Sequence, residues 1–298
     1  MLVLHEKIGQ INSKADFFQL VQSLQEQFTG VHRKLAVYAM NHFIDVAFMT
    51  AQQWAAEVGT SEVSVIRFVR FLGYKGYPDF AENMKKLVRN EMTMTKYVEV
   101  SAKTQRKGTD ILMDIIRKEE RNFNEMVAKY SPKTMAEVVE LLGKTKRVVV
   151  LGLRSSSALA DYCSYMLIRA LAKEVLTINT GGVHTYDSFL PWEGKNVMVI
   201  AIGYPRYPAR TMEILEHTKA LGWPIVCITN DELSPFVPMA DYAIYAPAHS
   251  VAFTDSMGAA VVIINTLVME YINKFHDQSI DKIKRFEELA KEHQYYWK

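Results

Sequence analysis

Apolar and polar residues follow a helical period through the first half of the chain, from residue 1 to about 146. After Arg147 the pattern changes to short runs of Val, Ile and Leu, separated by amphipathic segments of helix length. The runs are RVVVLGL from 147, VLTINT from 175, NVMVIAIG from 196, PIVCITN from 224 and YAIYAPA from 242. Such runs are typical of a parallel sheet that helices cover on both faces. The sequence therefore predicts an α/β chain: an all-α N-terminal domain, then a doubly wound parallel sheet whose ligands bind at the carboxyl ends of its strands.

Further helical segments flank the apolar runs. DILMDIIRKEERNFNEMV from Asp110 predicts an amphipathic helix leading into the sheet, and its RKEER run indicates a solvated face. The residues from Lys103 to Gly108 indicate an exposed break before it. MGAAVVIINTLVMEYI from Met257 is apolar nearly all round, which predicts a buried helix or one at a subunit interface. DKIKRFEELAKEHQYYWK from Asp281 closes the chain as an amphipathic tail.

One stretch of the helical half, SEVSVIRFVRFLGYKGY from Ser61, combines an apolar face with hydroxyl and guanidinium groups. The residues at the helical spacing of an apolar face are Val65, Phe68, Val69 and Leu72. The residues left outside that face include Ser61, Ser64, Arg67 and Arg70. Residues 61–90 hold six basic and three acidic residues, whereas the whole chain has a net charge of only +2. Any contact with nucleic acid therefore depends on local clustering of charge.

The segment TAQQWAAEVGT from Thr50 predicts a short helix directly before this stretch. Thr50 is suited to cap that helix and Gly59 to end it in the left-handed conformation, after which Thr60 or Ser61 caps the next helix. Two short helices that cross at a glycine turn are typical of a helix-turn-helix motif. A plain αα-hairpin with solvated arginines has the same spacing and stays as the alternative.

In a helix-turn-helix motif the N-terminal part of the second helix enters the major groove of double-stranded DNA. Hydroxyl and guanidinium groups there reach phosphates and base edges. The residues predicted to bind an operator are Ser61, Ser64, Arg67, Arg70 and Lys75.

Residues 48–80, FMTAQQWAAEVGTSEVSVIRFVRFLGYKGYPDF, resemble the N-terminal domain of the RpiR/MurR family of bacterial transcriptional regulators. The trailing RFxRxLGYxGYPDF signature is part of that resemblance. In this family a flavodoxin-like sugar isomerase (SIS) domain follows, and the pattern after Arg147 is similar to it. The resemblance implies a regulator, more often a repressor, that responds to a phosphosugar or a related sugar acid. Val63 stands where relatives usually carry a smaller residue, and we expect it to alter slightly how the helix packs.

These patterns together divide the chain into four parts. They are a helix-turn-helix DNA-binding domain at 1–90, a helical linker at 91–130, a SIS effector-binding domain at 131–276 and a C-terminal helical tail at 277–298. Because operator symmetry mirrors protein symmetry, a homodimer or homotetramer on pseudo-palindromic half-sites is expected.

GLRSSSALADYCSYML from Gly152 has three serines and an arginine where a predicted strand ends and a helix begins near Ser157. Hydroxyls, free backbone N–H groups and the positive end of the helix dipole can hold an anion there without a lysine. Simple capping by one serine is the alternative. The predicted effector contacts in this segment are Arg154, Ser155, Ser156 and Ser157.

Three more loops are predicted at the same edge: NTGGVHTYD from Asn179, IAIGYPRYPARTM from Ile200 and HSVAFTDSM from His249. The second resembles SFPRYS of one family branch with both serines lost, but Arg206 keeps a bidentate donor for a phosphate or carboxylate. The third resembles the family's ligand-covering loop. His184 and His249 are either structural or close to the ligand, and Asp255 is either a loop residue or a helix cap. The predicted effector contacts in these loops are Gly182, His184, Gly203, Arg206, Ser250 and Ser256.

With 298 residues, 49% hydrophobic and 23% charged, the chain is long enough for two domains and unlike a disordered protein. Cys163 and Cys227 lie in apolar segments without disulfide or metal-ligand spacing, which indicates reduced core residues. No metal or cofactor is predicted. Polar residues interrupt the opening MLVLHEKIGQ, and the apolar runs fall short of the roughly 20 residues that span a bilayer. We therefore expect a cytoplasmic protein without membrane contact.

Three classes of function fit these patterns, and an effector-responsive transcription regulator without catalytic residues fits best. A SIS-type aldose-ketose sugar phosphate isomerase needs a base near the substrate carbon. Glu193, Asp187 and His184 are candidates for that base, and their spacing implies no pairing. In the third class the helical half binds a protein. Duplex binding that weakens steeply with salt distinguishes DNA from a protein partner.

Overall fold

The computed structural model describes residues 11, 13–89, 95, 98, 110–171, 173–193, 195–252 and 254–297. The chain forms two compact units, Met1–Lys107 and Gly108–Lys298. The predicted exposed break from Lys103 to Gly108 lies outside the described residues. Among the helices of the described ranges, none combines the length and apolar character needed to cross a lipid bilayer.

The first unit is helical where it is described. Its helices are α1 Lys14–Ser23, α2 Gly30–Asn41, α3 Phe43–Val46, α4 Ala51–Val58, α5 Glu62–Phe71 and α6 Tyr77–Arg89. Aromatic rings fill its core: Trp54 stacks on Phe80 at 5.4 Å between centroids and meets the edge of Phe68 at 5.9 Å. Each such pair contributes about 0.5–1.5 kcal/mol beyond the burial of its area. Because these rings belong to α4, α5 and α6, packing fixes how α5 lies in the unit.

The second unit contains the predicted parallel sheet. Its strands are β1 Arg147–Leu151, β2 Glu174–Ile178, β3 Val197–Ile202, β4 Ile225–Thr229 and β5 Tyr242–Tyr245. They pair in the order β2-β1-β3-β4-β5, and every pairing is parallel. The reversal of strand order next to β1 places β1 and β3 side by side, with Leu151 opposite Ala201. A crevice for ligands opens at such a position in doubly wound sheets.

Helices cover both faces of the sheet, as predicted. The helices of this unit are α7 Ile111–Lys129, α8 Pro132–Lys144, α9 Ser157–Ala170, α10 Ala209–Ala220, α11 Gly258–Lys274 and α12 His276–Glu292. Val148 and Val150 belong to the apolar cluster shared with α8, α9 and α11, whereas Val149 and Leu151 face the cluster of α10. Both cysteines are buried and free. This alternation explains why the strands carry continuous apolar runs.

The first and last helices of this unit, α7 and α12, pack on other helices of the same unit. Asp110 caps α7 by accepting a hydrogen bond from the Leu112 N–H at 2.9 Å, and α7 buries Asn122 and Met126. This helix, which the sequence pattern assigns to a linker at 91–130, packs on α11. The predicted tail forms α12, which packs on α9 and α11.

Candidate DNA and effector sites

The turn between α4 and α5 is built by capping residues. Thr50 accepts a hydrogen bond from the Gln53 N–H at 3.1 Å, and the Gln53 side chain accepts one from the Thr50 N–H at 2.7 Å. Gly59 ends α4 with φ of 69°, in the left-handed region that glycine tolerates. Ser61, rather than Thr60, caps α5, because its hydroxyl accepts from the Ser64 N–H at 3.2 Å.

The face of α5 away from the core carries the predicted DNA-binding residues. Arg67 and Arg70 are exposed, and within the described part of the chain neither pairs with a carboxylate. Ser61 is exposed and Ser64 half-buried, with their hydroxyl oxygens 2.9 Å apart. Lys75 is exposed in the turn after α5, where its backbone N–H donates to Asp79 at 2.9 Å. The structure thus leaves both guanidinium groups available to a phosphate or base.

Val63 lies on this polar face, not in the core. It is 56% exposed, and the buried face of α5 is formed by other residues. It precedes Arg67 by four positions and Arg70 by seven, so the three side chains share one face of the helix.

At the end of β1 the chain makes a tight turn into α9. A Cβ at Gly152 would lie 2.5 Å from the Ser156 carbonyl oxygen, so only glycine allows this approach. Arg154 has a positive φ of 57° and is exposed, like Ser155. Ser156 occupies the N-cap of α9 but makes no side-chain capping bond, and only 4% of it is exposed. Simple capping therefore does not account for the Ser156 side chain.

The loop after β2 meets the first turn of α10 through Arg210. Its guanidinium donates to the Gly182 carbonyl at 3.4 Å and to Glu213 at 2.8 Å, and its central carbon lies 4.7 Å from the centroid of the Tyr186 ring. A Cβ at Gly181 would touch both Arg210 and Leu153, so the ends of β1 and β2 converge here. Arg210 is a candidate that sequence reasoning missed. The sequence did hold one indication of its role: Arg210 follows Arg206 by four positions, in the first turn of α10.

The loop after β3 presents Arg206 and buries Gly203. The Gly203 N–H donates to the Ile228 carbonyl at 3.1 Å, and its carbonyl accepts from the Thr229 hydroxyl at 2.8 Å. A Cβ at Gly203 would lie 2.0 Å from the Phe236 ring. Gly203 therefore has no spare backbone donor and serves to pack the loop. Arg206 is exposed, and it forms no ion pair with any residue in the described ranges.

The loop from His249 to Gly258 is bound to α7. The Asn122 side-chain amide donates to the His249 carbonyl and accepts from its N–H, both at 2.9 Å. The Ser256 hydroxyl bonds to the Glu119 carboxylate and accepts from the Gly258 N–H at 3.1 Å. The predicted effector residue Ser256 is thus already used by the fold. Ser250 is half-buried, and its hydroxyl accepts from the Ala252 N–H at 2.9 Å.

His249 and His184 each face a carboxylate. His249 Nε2 lies 3.0 Å from Glu125 Oε2. Although burial acts in the opposite direction, hydrogen bonds from Arg121 and His249 lower the pKa of Glu125. His184 Nδ1 lies 3.0 Å from Asp187 Oδ2, a pairing that the spacing does not imply, and their side chains are 91% and 68% exposed. Solvent therefore reaches both side chains.

Comparison with known families decides between the interpretations of the helical half. The profile of the helix-turn-helix domain of the rpiR family matches residues 16–99, and the SIS domain profile matches residues 141–270. The chain carries a helix-turn-helix domain of the rpiR family, followed by a SIS domain. The match at 16–99 includes α4, α5 and the turn between them. No curated protein matches the chain.

Solved structures share the fold of this chain. The sugar isomerase domain of an RpiR transcription factor from Sphaerobacter thermophilus aligns with a TM-score of 0.57 and 18% identity, over 60% of this chain and 99% of that one. The Vibrio vulnificus NanR protein, complexed with ManNAc-6P, aligns with a TM-score of 0.57 and 22% identity, over 92% of this chain and 97% of that one. At these identities the likeness shows a common fold.

Proposed function

We propose that this chain is a transcription regulator, acting as a repressor, that binds a double-stranded operator and senses a phosphosugar or sugar acid. The observation that carries the proposal is the pairing of a helix-turn-helix domain with a SIS domain in one chain. The recognition helix α5 buries Val65, Phe68 and Val69 and turns two guanidinium groups to solvent. Those groups supply the phosphate contacts that dominate affinity for DNA.

The carboxyl edge of the sheet is proposed as the effector site. Ser156 lies at the N-cap of α9 without a side-chain capping bond, where backbone N–H groups and the helix dipole favour an anion. Arg154 and Arg206 are exposed cations on neighbouring loops, and Arg210 adds a third guanidinium. NanR, whose fold is shared, is complexed with the phosphosugar ManNAc-6P, which supports this class of ligand. Gly203 and Ser256 already form hydrogen bonds within the protein. We therefore propose that they hold the loops around the ligand and do not contact it.

Duplex binding by the full-length protein tests the operator half of the proposal. The probe is a duplex selected by the protein from a random library. Its affinity should fall steeply between about 50 and 200 mM salt as counterions are released. Arg67→Ala should weaken binding by about 1–3 kcal/mol if Arg67 reads a base, or uniformly across sequences if it contacts phosphate.

Arg33→Ala is the matched control, because Arg33 is an exposed arginine on α2, outside the recognition helix. The control should bind like the parent protein. Equal affinities for Arg67→Ala and the parent on every duplex would remove Arg67 from the DNA surface, and failure to select any duplex would end the operator proposal.

One observation favours the alternative hypothesis that the protein is an isomerase, namely the contact between His184 and Asp187. Both groups are open to solvent, so we expect no interconversion of aldose and ketose phosphates by the purified protein. Turnover that is lost in His184→Gln would support the isomerase instead.

We propose a second copy of this chain as the partner of α7. The exposed side chains of α7 include an apolar stripe at helical spacing: Leu112 at 61%, Ile116 at 38%, Phe123 at 37% and Val127 at 71%. Contiguous exposed apolar surface marks an interaction site, and an isologous contact covers the same stripe on both subunits. The resulting homodimer, alone or doubled into a homotetramer, would present two recognition helices to two half-sites.

A further inference from the structure

We propose that Val63 determines operator specificity by packing on the 5-methyl group of a thymine in the major groove. This inference rests on the proposed operator binding and names the base chemistry that one residue of α5 would read. The starting observation is that Val63 exposes 56% of its surface in the first turn of the recognition helix.

The position of Val63 is explained neither by folding nor by capping. The buried face of α5 is complete without it, formed by Val65, Phe68 and Val69. The cap of α5 comes from Ser61. Removing most of the Val63 side chain would therefore leave the core and the helix start intact.

The neighbours of Val63 define what it would meet on DNA. It shares one helix face with Arg67 and Arg70, at intervals of four and three residues. The N-terminal residues of a recognition helix contact base edges rather than the backbone alone. Of the three side chains, Val63 is therefore the one in the base-reading turn, with a guanidinium one turn behind it.

The chemistry of valine narrows the target to one group. Its two methyl groups can neither donate nor accept a hydrogen bond, so they gain nothing from a phosphate or from the polar edges of guanine, cytosine and adenine. The major-groove edge of thymine alone carries a methyl group, and apolar side chains recognise it by contact. Val63 would thus favour one T·A pair in each half-site.

A double-mutant cycle between protein and DNA tests this contact. In the duplex selected by the full-length protein, each thymine is replaced in turn by deoxyuridine, which removes only the 5-methyl group. At one position per half-site the parent protein should lose about fourfold in affinity, as expected for one buried methyl-sized group. Val63→Ala should bind the thymine duplex about fourfold more weakly and show no further loss with deoxyuridine at that position.

The matched control is Val37→Ala, since Val37 is a valine of similar exposure, 52%, on α2. It should keep the full response to deoxyuridine. If Val63→Ala loses affinity to the same extent as the parent at every deoxyuridine position, the inference is overturned while operator binding stands. If the parent protein selects no duplex, the proposal of operator binding itself fails. The experiment thus distinguishes failure of the Val63 contact from failure of operator binding.

Discussion

The Ser156 hydroxyl is a single group whose surroundings favour a ligand over a structural role. Elsewhere in this chain N-cap serines perform the capping: the Ser131 hydroxyl accepts from the Thr134 N–H at 3.1 Å at the start of α8. Ser156 has the same position on α9 without such a bond. Its hydroxyl is therefore not committed to capping, and an anion at this junction would find it beside the N-terminus of α9.

Ser156→Ala should therefore separate ligand binding from folding. We expect its unliganded stability to stay within about 0.5 kcal/mol of the parent, because no capping bond is lost. The thermal shift caused by a panel of phosphosugars and sugar acids should disappear in Ser156→Ala and shrink in Arg206→Ala, with affinity for DNA unchanged.

Ser131→Ala is the comparison at a serine that does cap. It should lose about 1 kcal/mol of stability and keep the thermal shift with ligand. A stability loss of that size in Ser156→Ala, with its ligand response intact, would show that Ser156 has only a structural role.

The elements of both units could be predicted well from sequence, because each follows from local chemistry. All five apolar runs became strands within a residue or two of their predicted starts. Asp110 begins α7, and Gly59 ends α4 with positive φ, as their residue types require. The choice between Thr60 and Ser61 as the cap of α5 stayed open, because both carry a hydroxyl and only the path of the backbone decides between them.

Alanine substitution of Ser61 and of Thr60 measures which of the two hydroxyls stabilises the start of α5. Ser61→Ala should lower the free energy of unfolding by about 0.5–2 kcal/mol, through loss of the bond from the Ser64 N–H. Thr60→Ala, the matched control, should change it by less than about 0.5 kcal/mol. Urea denaturation of both proteins gives the comparison, and equal losses would contradict the assignment of the cap.

The roles of Gly203 and Ser256 could not be predicted from the sequence, because they depend on contacts with residues distant in the chain. Gly203 is fixed by the Phe236 ring, and Ser256 by Glu119, a residue 137 positions away. Local patterns hold no information on either neighbour. Val63 illustrates the same limit, since its place on the exposed face depends on which residues the aromatic core selects.

The whole molecule, as proposed, depends on a second copy to bring two recognition helices together. Val127 is the most exposed residue of the α7 stripe, at 71%. Val127→Glu should therefore fold normally and oppose association, because a dimer would bury two uncompensated carboxylates. Light scattering coupled to size exclusion should show a smaller particle, and affinity for a two-half-site duplex should fall at least tenfold through loss of bivalent binding.

The matched control for the dimer is Leu233→Glu, at a residue 47% exposed in the turn after β4. Its mass and DNA affinity should equal those of the parent protein. An unchanged mass for Val127→Glu would place the subunit interface away from α7.

The amide of Asn122 has a consequence for how a metabolite would influence transcription. It fastens the backbone of His249 to α7, and α7 is the first described helix that the chain enters after leaving the DNA-reading unit. A sugar acid that draws the backbone of His249 toward itself would thus also act on the position of α7. The size of that shift is limited by how much better the metabolite binds one position of His249 than the other.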